Sequence, residues 1–271
     1  MNAEAPIAIF DSGVGGLTVA RQINRALPHE EIVYLGDTAR VPYGSKSPAT
    51  VRRFAEECVE FLLHFQPKLL IIACNTASAT AFPYLEKNVD VPMLEVIRPG
   101  ARAAVGATTL SRIGVIGTRA TIASDAYAEA IAAVDPAVEV VSAACPLFVP
   151  MVEEGRTSGT IVKAVAEEYL RPLLAKHIDT LILGCTHYPV LKPALQEVVG
   201  GGVTLVDSAE AVATAATELL AAGGGARAAG ETPPRFYVTD TPGDFEDVAR
   251  FIWPDWPGRA VRVEIGRTWL R

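Results

Sequence analysis

The feature that most constrains this chain is that it repeats itself. Displaced by 111 positions, "FAEECVEFLLHFQPKLLIIACN" from Phe54 lies without a gap over "VAEEYLRPLLAKHIDTLILGCT" from Val165. Ala-Glu-Glu, Leu-Leu, Leu-Ile and a terminal cysteine coincide, so that Cys74 falls on Cys185. A looser echo relates "IAIFDS" at Ile7 to "IGVIGT" at Ile113. Each copy reads as a helix, an apolar strand and then a cysteine, and two copies predict two related halves.

The apolar runs "IAIF", "EIVYLG", "KLLIIA", "RIGVIG", "TLILG" and "VTLV" alternate with helical patterns of roughly 12 to 18 residues, which predicts an α/β fold of mainly parallel strands joined by crossover helices. The clearest helix starts at Ser47-Pro48, a capping residue before a proline, and puts Val51, Phe54, Ala55, Cys58, Leu62 and Phe65 on one stripe. Cys58 is therefore read as core. The expected organisation is a first half of residues 1–98 plus 208–271 and a second half of residues 99–207. Residues 223–234 read as a flexible surface turn. The last segment, with the strand "RFYVTD" and the tryptophans of "FIWPDWPGR", is too small to stand alone and is expected to pack back on the first half.

Half of the 271 residues are hydrophobic, enough for a sizeable core. The net charge of −7 comes from interspersed acids, without the basic stripe that nucleic acid requires. No run approaches the roughly 20 apolar residues of a membrane span, and no basic region precedes a long apolar core near the N-terminus, so a cytoplasmic protein is expected. The four cysteines are too scattered for a zinc knuckle, and each is expected to be a free thiol.

The carboxyl ends of parallel strands form the ligand-binding edge of such sheets. Cys74 and Cys185 would stand there, one on each half, and two facing halves would aim both thiols into one cleft. A single cysteine at such a place reads more readily as a small buried hydrophobe. Its recurrence, followed by Asn75-Thr76 in one copy and Thr186-His187 in the other, favours chemistry. His187, two residues from Cys185, is placed to tune the thiol or to protonate a substrate. Asp11, at the end of a strand, would welcome an ammonium group or cap a helix. The glycine loop at Gly13–Gly16 lacks both the dinucleotide spacing and a Gly-Lys-Ser/Thr ending, so a phosphate cradle is a weak reading. "GDTARVPYGSKS" offers donors to a carboxylate or forms a plain turn. In "CPLFVPMVEEG", Glu153 or Glu154 would balance Asp11 across the cleft or lie on a solvated helix face.

Taken together, "IAIFDSGVGGLTV", "YLGDTARVPYGSKS", "ACNTASA", "IGVIGT", "CPLFVPMVEEG" and "LGCTHYP" resemble the glutamate racemase family of the cofactor-independent aspartate/glutamate racemases, over nearly the whole chain. The resemblance implies two pseudo-symmetric α/β halves with the active site between them. It implies that Cys74 takes the α-proton of D-glutamate and Cys185 that of L-glutamate, with Asp11, His187 and Glu153 assisting. Asp11, Ser12, Pro42, Tyr43, Gly44, Asn75, Thr76, Thr118, Thr186 and His187 would hold the substrate. No cofactor and no metal would be needed, the partner would be glutamate with no nucleic acid or membrane, the assembly would be a homodimer, and the D-glutamate would feed peptidoglycan synthesis. Three rival readings stay open at this point: an aspartate racemase, an amino-acid-binding regulator without turnover, and a nucleotide-binding protein.

Overall fold

Strands with apolar residues at consecutive positions need cover on both faces, and the chain supplies it with helices between successive strands. The computed structural model describes residues 2–230 and 232–266. Met1, Glu231 and residues 267–271, which the expected first half includes, lie outside the described residues. In chain order the strands are β1 (Ile7–Asp11), β2 (Ile32–Gly36), β3 (Leu69–Ile72), β4 (Met93–Glu95), β5 (Arg112–Gly117), β6 (Glu139–Ala144), β7 (Thr180–Gly184), β8 (Thr204–Asp207), β9 (Arg235–Val238) and β10 (Ala260–Arg262).

They form two sheets, ordered β10-β9-β2-β1-β3-β4 and β6-β5-β7-β8, and every pairing between neighbours is parallel. The order β2-β1-β3-β4 recurs as β6-β5-β7-β8. In both sheets the chain first steps to one side of the opening strand and then crosses to the other, so the switch in direction falls between β1 and β3 and between β5 and β7. A crevice opens outside the carboxyl ends of strands at such a switch. Register brings those ends level, with Phe10 opposite Ile72 in one sheet and Gly117 opposite Gly184 in the other.

Three of these strands escape the sequence pattern: β4 and β10 are only three residues long, and β6 is an edge strand whose residues are all partly or fully exposed. The α/β class with two mainly parallel sheets is as expected. The helix Pro48–Leu63 is capped by Ser47, whose Oγ accepts from the Thr50 amide at 3.3 Å, and it buries Val51, Ala55, Cys58 and Leu62. Phe54 is only partly buried and Phe65 lies just past the helix end.

The inner faces of the two sheets share one hydrophobic cluster. It joins Ile9 and Ile71 to Val115 and Ile182, with Ala101 and Val212 from the helices Ile97–Ala107 and Ser208–Ala222 between them. Each fully buried aliphatic side chain contributes about 1.5–3 kcal/mol to holding the sheets together. After β8 the chain leaves the second sheet, and the helix Ser208–Ala222 packs on the helix Leu17–Ala26; β9 then pairs with β2.

Residues 223–230 and 232–234 form a surface turn, as expected, but not a loose one. The Gly225 carbonyl accepts from buried Lys68 Nζ at 2.7 Å, the Arg227 amide donates to Glu30 Oε1 at 2.8 Å, and Lys68 itself pairs with Glu30 at 2.5 Å. A buried ion pair whose lysine also meets main-chain carbonyls gives the turn a fixed seat, a long-range contact that turn-forming residues do not announce. Among the described residues, no helix is long and apolar enough to cross a membrane.

Candidate active site

Buried β3 runs straight into Cys74, which is the N-cap residue of the helix Asn75–Thr80. The Ala73 amide donates to the Phe10 carbonyl at 2.8 Å, holding the loops after β1 and β3 side by side. Cys74 Sγ consequently meets Ser12 and donates to its Oγ at 3.4 Å. Burial and the nearby Asp11 carboxylate push the Cys74 thiol up to about 12, so at neutral pH this sulfur carries its proton.

In the second half, β7 ends at Gly184, where a Cβ would come within 2.6 Å of the Ile116 carbonyl oxygen; only glycine lets this strand end against its neighbour. Cys185 follows, and His187 folds back so that Nδ1 stands 3.8 Å from Sγ. The other ring nitrogen, Nε2, is 3.1 Å from Glu153 Oε1. Burial opposes a charge on this imidazole, but its hydrogen bonds to Cys185 and Glu153 outweigh that and hold it up at about 10. His187 is therefore a buried cation at neutral pH. Glu153 reaches it from the end of the helix Phe148–Glu153, whose Phe148 packs edge-on against Tyr188 with ring centroids 5.2 Å apart. Both adjacent acids are exposed, but Glu153 is the one that pairs with His187 and lines the cleft.

Cys74 and Cys185 line the same cleft, one from each half. Ser12, Pro42, Tyr43, Gly44, Asn75 and Thr76 join Cys74, and Thr118, Glu153, Thr186 and His187 join Cys185. The Tyr43 loop is held from behind: the Tyr43 hydroxyl donates to Asp37 Oδ2 at 2.5 Å, and the same carboxylate accepts from Arg40 Nε at 2.7 Å and Thr239 Oγ1 at 2.9 Å. Where the halves meet, Thr76 Oγ1 is 2.9 Å from Thr118 Oγ1, and both hydroxyls reach Thr121 Oγ1, at 3.3 and 3.0 Å. The space left is small, about 30 Å³, room for about two water molecules.

Asp11 departs from the expectation that it faces an ammonium group. Its carboxylate is wholly buried and not among the groups lining the cleft; Oδ2 accepts from the Gly13 amide at 2.9 Å and Oδ1 from Thr186 Oγ1 at 3.4 Å. Burial raises its pKa, partly offset by His187 and by the amides of Gly13, Gly16 and Ser12. It ties the loops of the two halves together beneath the cleft. The glycine loop has a related purpose. A Cβ on Gly15 would stand 2.5 Å from both Thr186 Oγ1 and His187 Nδ1, and one on Gly44 would stand 2.6 Å from Thr118 Cβ. These glycines let the halves approach each other, and close backbone approach is what a residue without Cβ permits.

Val41 and Val149, which the sequence does not mark as functional, give the cleft apolar wall, and Thr121 stands behind Thr118. Val41 and Val149 sit inside motifs already singled out, but an isolated valine has no polar signature. Thr121 had one signal, its spacing of three from the helix-capping Thr118, whose Oγ1 accepts from its amide at 3.2 Å.

The sequence pattern of the Asp/Glu/Hydantoin racemase family matches residues 12–216. The chain belongs to this family. Its relatives include the glutamate racemase of Syntrophus aciditrophicus (strain SB), 52% identical over 263 residues, a span covering 96% of this chain and 97% of that protein. Among solved structures, a glutamate racemase isoform of Bacillus anthracis superposes with a TM-score of 0.94 at 40% identity, covering 97% of this racemase-family chain and 98% of the other. The glutamate racemase of Francisella tularensis subsp. tularensis SCHU S4, solved in complex with D-glutamate, superposes with a TM-score of 0.91 at 40% identity and the same coverage.

Proposed function

We propose that this chain is a glutamate racemase, interconverting L- and D-glutamate by proton transfer at the α-carbon between two cysteines. The observation that carries the reading is the meeting of Cys74 and Cys185 in one cleft from opposite halves, in a chain about half identical to glutamate racemases along most of its length. Racemisation removes a proton from one face of the α-carbon and returns one to the other. It therefore needs a base and an acid on opposite sides, which a single group cannot supply.

With Cys74 held as a thiol and cationic His187 beside Cys185, the site is set for L-glutamate. The Cys185 sulfur accepts the α-proton as the C–H bond breaks, its electron pair moves toward the α-carboxylate, and Cys74 delivers its own proton to the opposite face. D-glutamate runs the same path backwards, from Cys74 to Cys185. The developing enediolate-like charge is met by fixed donors: the hydroxyls of Ser12, Thr76, Thr118 and Thr186, the Asn75 amide, and the Tyr43-Gly44 loop after Pro42. Glu153 keeps His187 charged and oriented, and Asp11 positions Thr186 and the Gly13 amide from below. The proposed steps call on no cofactor or metal.

A cleft of this size must widen to admit an amino acid, and we assign that motion to residues 1–98 with 208–271 moving against residues 99–207. Small-angle scattering with and without glutamate should give different profiles; identical profiles would remove the motion. As further parts of the same proposal, the protein acts in the cytoplasm as a homodimer and supplies D-glutamate for peptidoglycan synthesis.

The deciding experiment incubates the protein with each pure enantiomer of glutamate in deuterated water and follows optical rotation and deuterium at the α-carbon. Loss of rotation with one deuterium gained is expected from either side. Activity with aspartate alone would change the substrate, and an absence of exchange would make the protein a binder.

A further inference from the structure

One side chain touches both cysteine loops. Tyr127 lies in the helix Ala126–Val134 of the second half and is almost wholly buried. Its hydroxyl donates to Asn75 Oδ1 at 2.6 Å, the residue immediately after Cys74, and lies 2.9 Å from Ser208 Oγ. Its ring edge packs on the residue immediately before Cys185: a Cβ on Gly184 would stand 3.0 Å from Tyr127 Cε2. The backbone at Gly184 thus leaves room for this ring and for nothing more.

The proton count orders the network. A phenol has one proton, and here Asn75 receives it, so Ser208 must be the donor to Tyr127. Burial pushes the Tyr127 phenol well above its ordinary value, and it stays a donor across the working range. The chain of donors runs from Ser208 through Tyr127 to the Asn75 carbonyl, which fixes which way the amide faces. Among the described residues nothing accepts from Asn75 Nδ2, and Asn75 lines the cleft, so its two N–H donors are left for a ligand carboxylate.

We infer that Tyr127 is a positioning residue for the reaction, its hydroxyl turning the Asn75 amide toward the substrate carboxylate and its ring holding the Cys185 loop at working distance from the Cys74 loop. The inference rests on the racemase reading above. It explains why a tyrosine of one half has its polar end satisfied by the other.

The test measures KM and kcat for both enantiomers of glutamate in wild type, Tyr127→Phe, Asn75→Ala and the double variant, with thermal unfolding alongside. Tyr127→Phe keeps the ring and should raise KM about five- to tenfold, the worth of one oriented hydrogen bond, with kcat within about threefold of wild type. Because Tyr127 acts through Asn75, adding Tyr127→Phe to Asn75→Ala should move KM by less than about twofold. Tyr127→Leu removes the spacer as well and should lower kcat at least about tenfold below Tyr127→Phe. Additive KM effects, or a Tyr127→Phe protein with a lowered melting temperature and unchanged KM, would overturn the hydroxyl's role; an unchanged kcat in Tyr127→Leu would overturn the ring's.

Should Tyr127→Phe fail to fold, Ser208→Ala relaxes the same hydroxyl from its other side and should raise KM about twofold, again without effect in Asn75→Ala. An unchanged KM there counts against the inference. A wild-type protein that exchanges no α-proton refutes the racemase reading itself, whereas an active wild type with indifferent Tyr127 variants refutes only this proposal.

Discussion

Position for position, Cys74-Asn75-Thr76 in one half stands where Cys185-Thr186-His187 stands in the other, yet the two sulfurs have unlike company. Cys74 donates to the neutral hydroxyl of Ser12, and burial and Asp11 favour its thiol. Cys185 sits beside an imidazolium that Glu153 helps to keep charged. The strand order recurs and the electrostatics do not. The lesson is that the repeated scaffold sets where the two sulfurs stand, while residues the two copies do not share, Ser12 beside Cys74 and His187 with Glu153 beside Cys185, set the proton inventory of each.

The comparison can be broken most directly at the sulfurs. Cys74→Ser and Cys185→Ser should each lower racemisation about a thousandfold, the middle of the range a general acid or base contributes, because a hydroxyl neither gives nor takes a proton here as readily as a thiol. Polarimetry with either enantiomer measures it, and one serine variant retaining wild-type turnover would leave a one-sulfur mechanism. A smaller effect probes the unlike company. Glu153→Gln removes a charge that raises His187, so the histidine pKa should fall from about 10 toward its ordinary 6.5. Because Glu153 is partly exposed, the loss in kcat should be nearer about tenfold than a hundredfold. Histidine nitrogen resonances followed through a pH titration read the shift; an unmoved midpoint would detach Glu153 from the Cys185 side.

Chemical modification sharpens the contrast from the other half. With its thiol held up to about 12, Cys74 should be alkylated by iodoacetamide at a rate still climbing several-fold between pH 9 and pH 10, since only the thiolate reacts. Mass spectrometry of the Cys74 peptide follows this, and a plateau by pH 9 would erase the proposed difference. The smallest effect serves as a control away from the cleft. Asp179 accepts from Thr108 Oγ1 and from the Thr109 and Leu110 amides at 2.5–2.6 Å. Burial would raise its pKa, but these bonds outweigh it and hold the carboxyl at about 2, against 3.8 unperturbed. A depressed carboxylate pKa stabilises the fold fully above about pH 4 and loses that contribution as pH falls through about 2. Asp179→Asn should therefore cost about 1 to 2 kcal/mol at pH 7, after allowance for solvent screening, with the gap to wild type closing at pH 2 and kcat unchanged. Urea denaturation at the two pH values checks it.

Much of this architecture was legible because its central strands are buried on both faces. β1, β3 and β7 carry unbroken apolar runs, and a continuous run ending in a polar turn betrays both the strand and its functional end. β6 was not legible because an edge strand carries no such demand, and "EVVSAA" satisfies its exposed face with polar and small residues. At the candidate site, residues grouped in motifs at strand ends could be read as a set. What stayed hidden depends on contacts between halves: the withdrawal of Asp11 beneath the cleft, the hydroxyl cluster completed by Thr121, and the hold of Tyr127 on Asn75. Such pairs lie 45 or more positions apart, beyond any periodicity, and only packing brings them together.

The shared cluster of Ile9, Ile71, Val115, Ile182 and Val212 carries a cost for autonomy. Neither half could be cut free without baring an oily wall to water. The lobes are thus joined along one oily seam, and the motion proposed above would have to pivot around it, a shallow flexing at the rim instead of a jaw swinging wide.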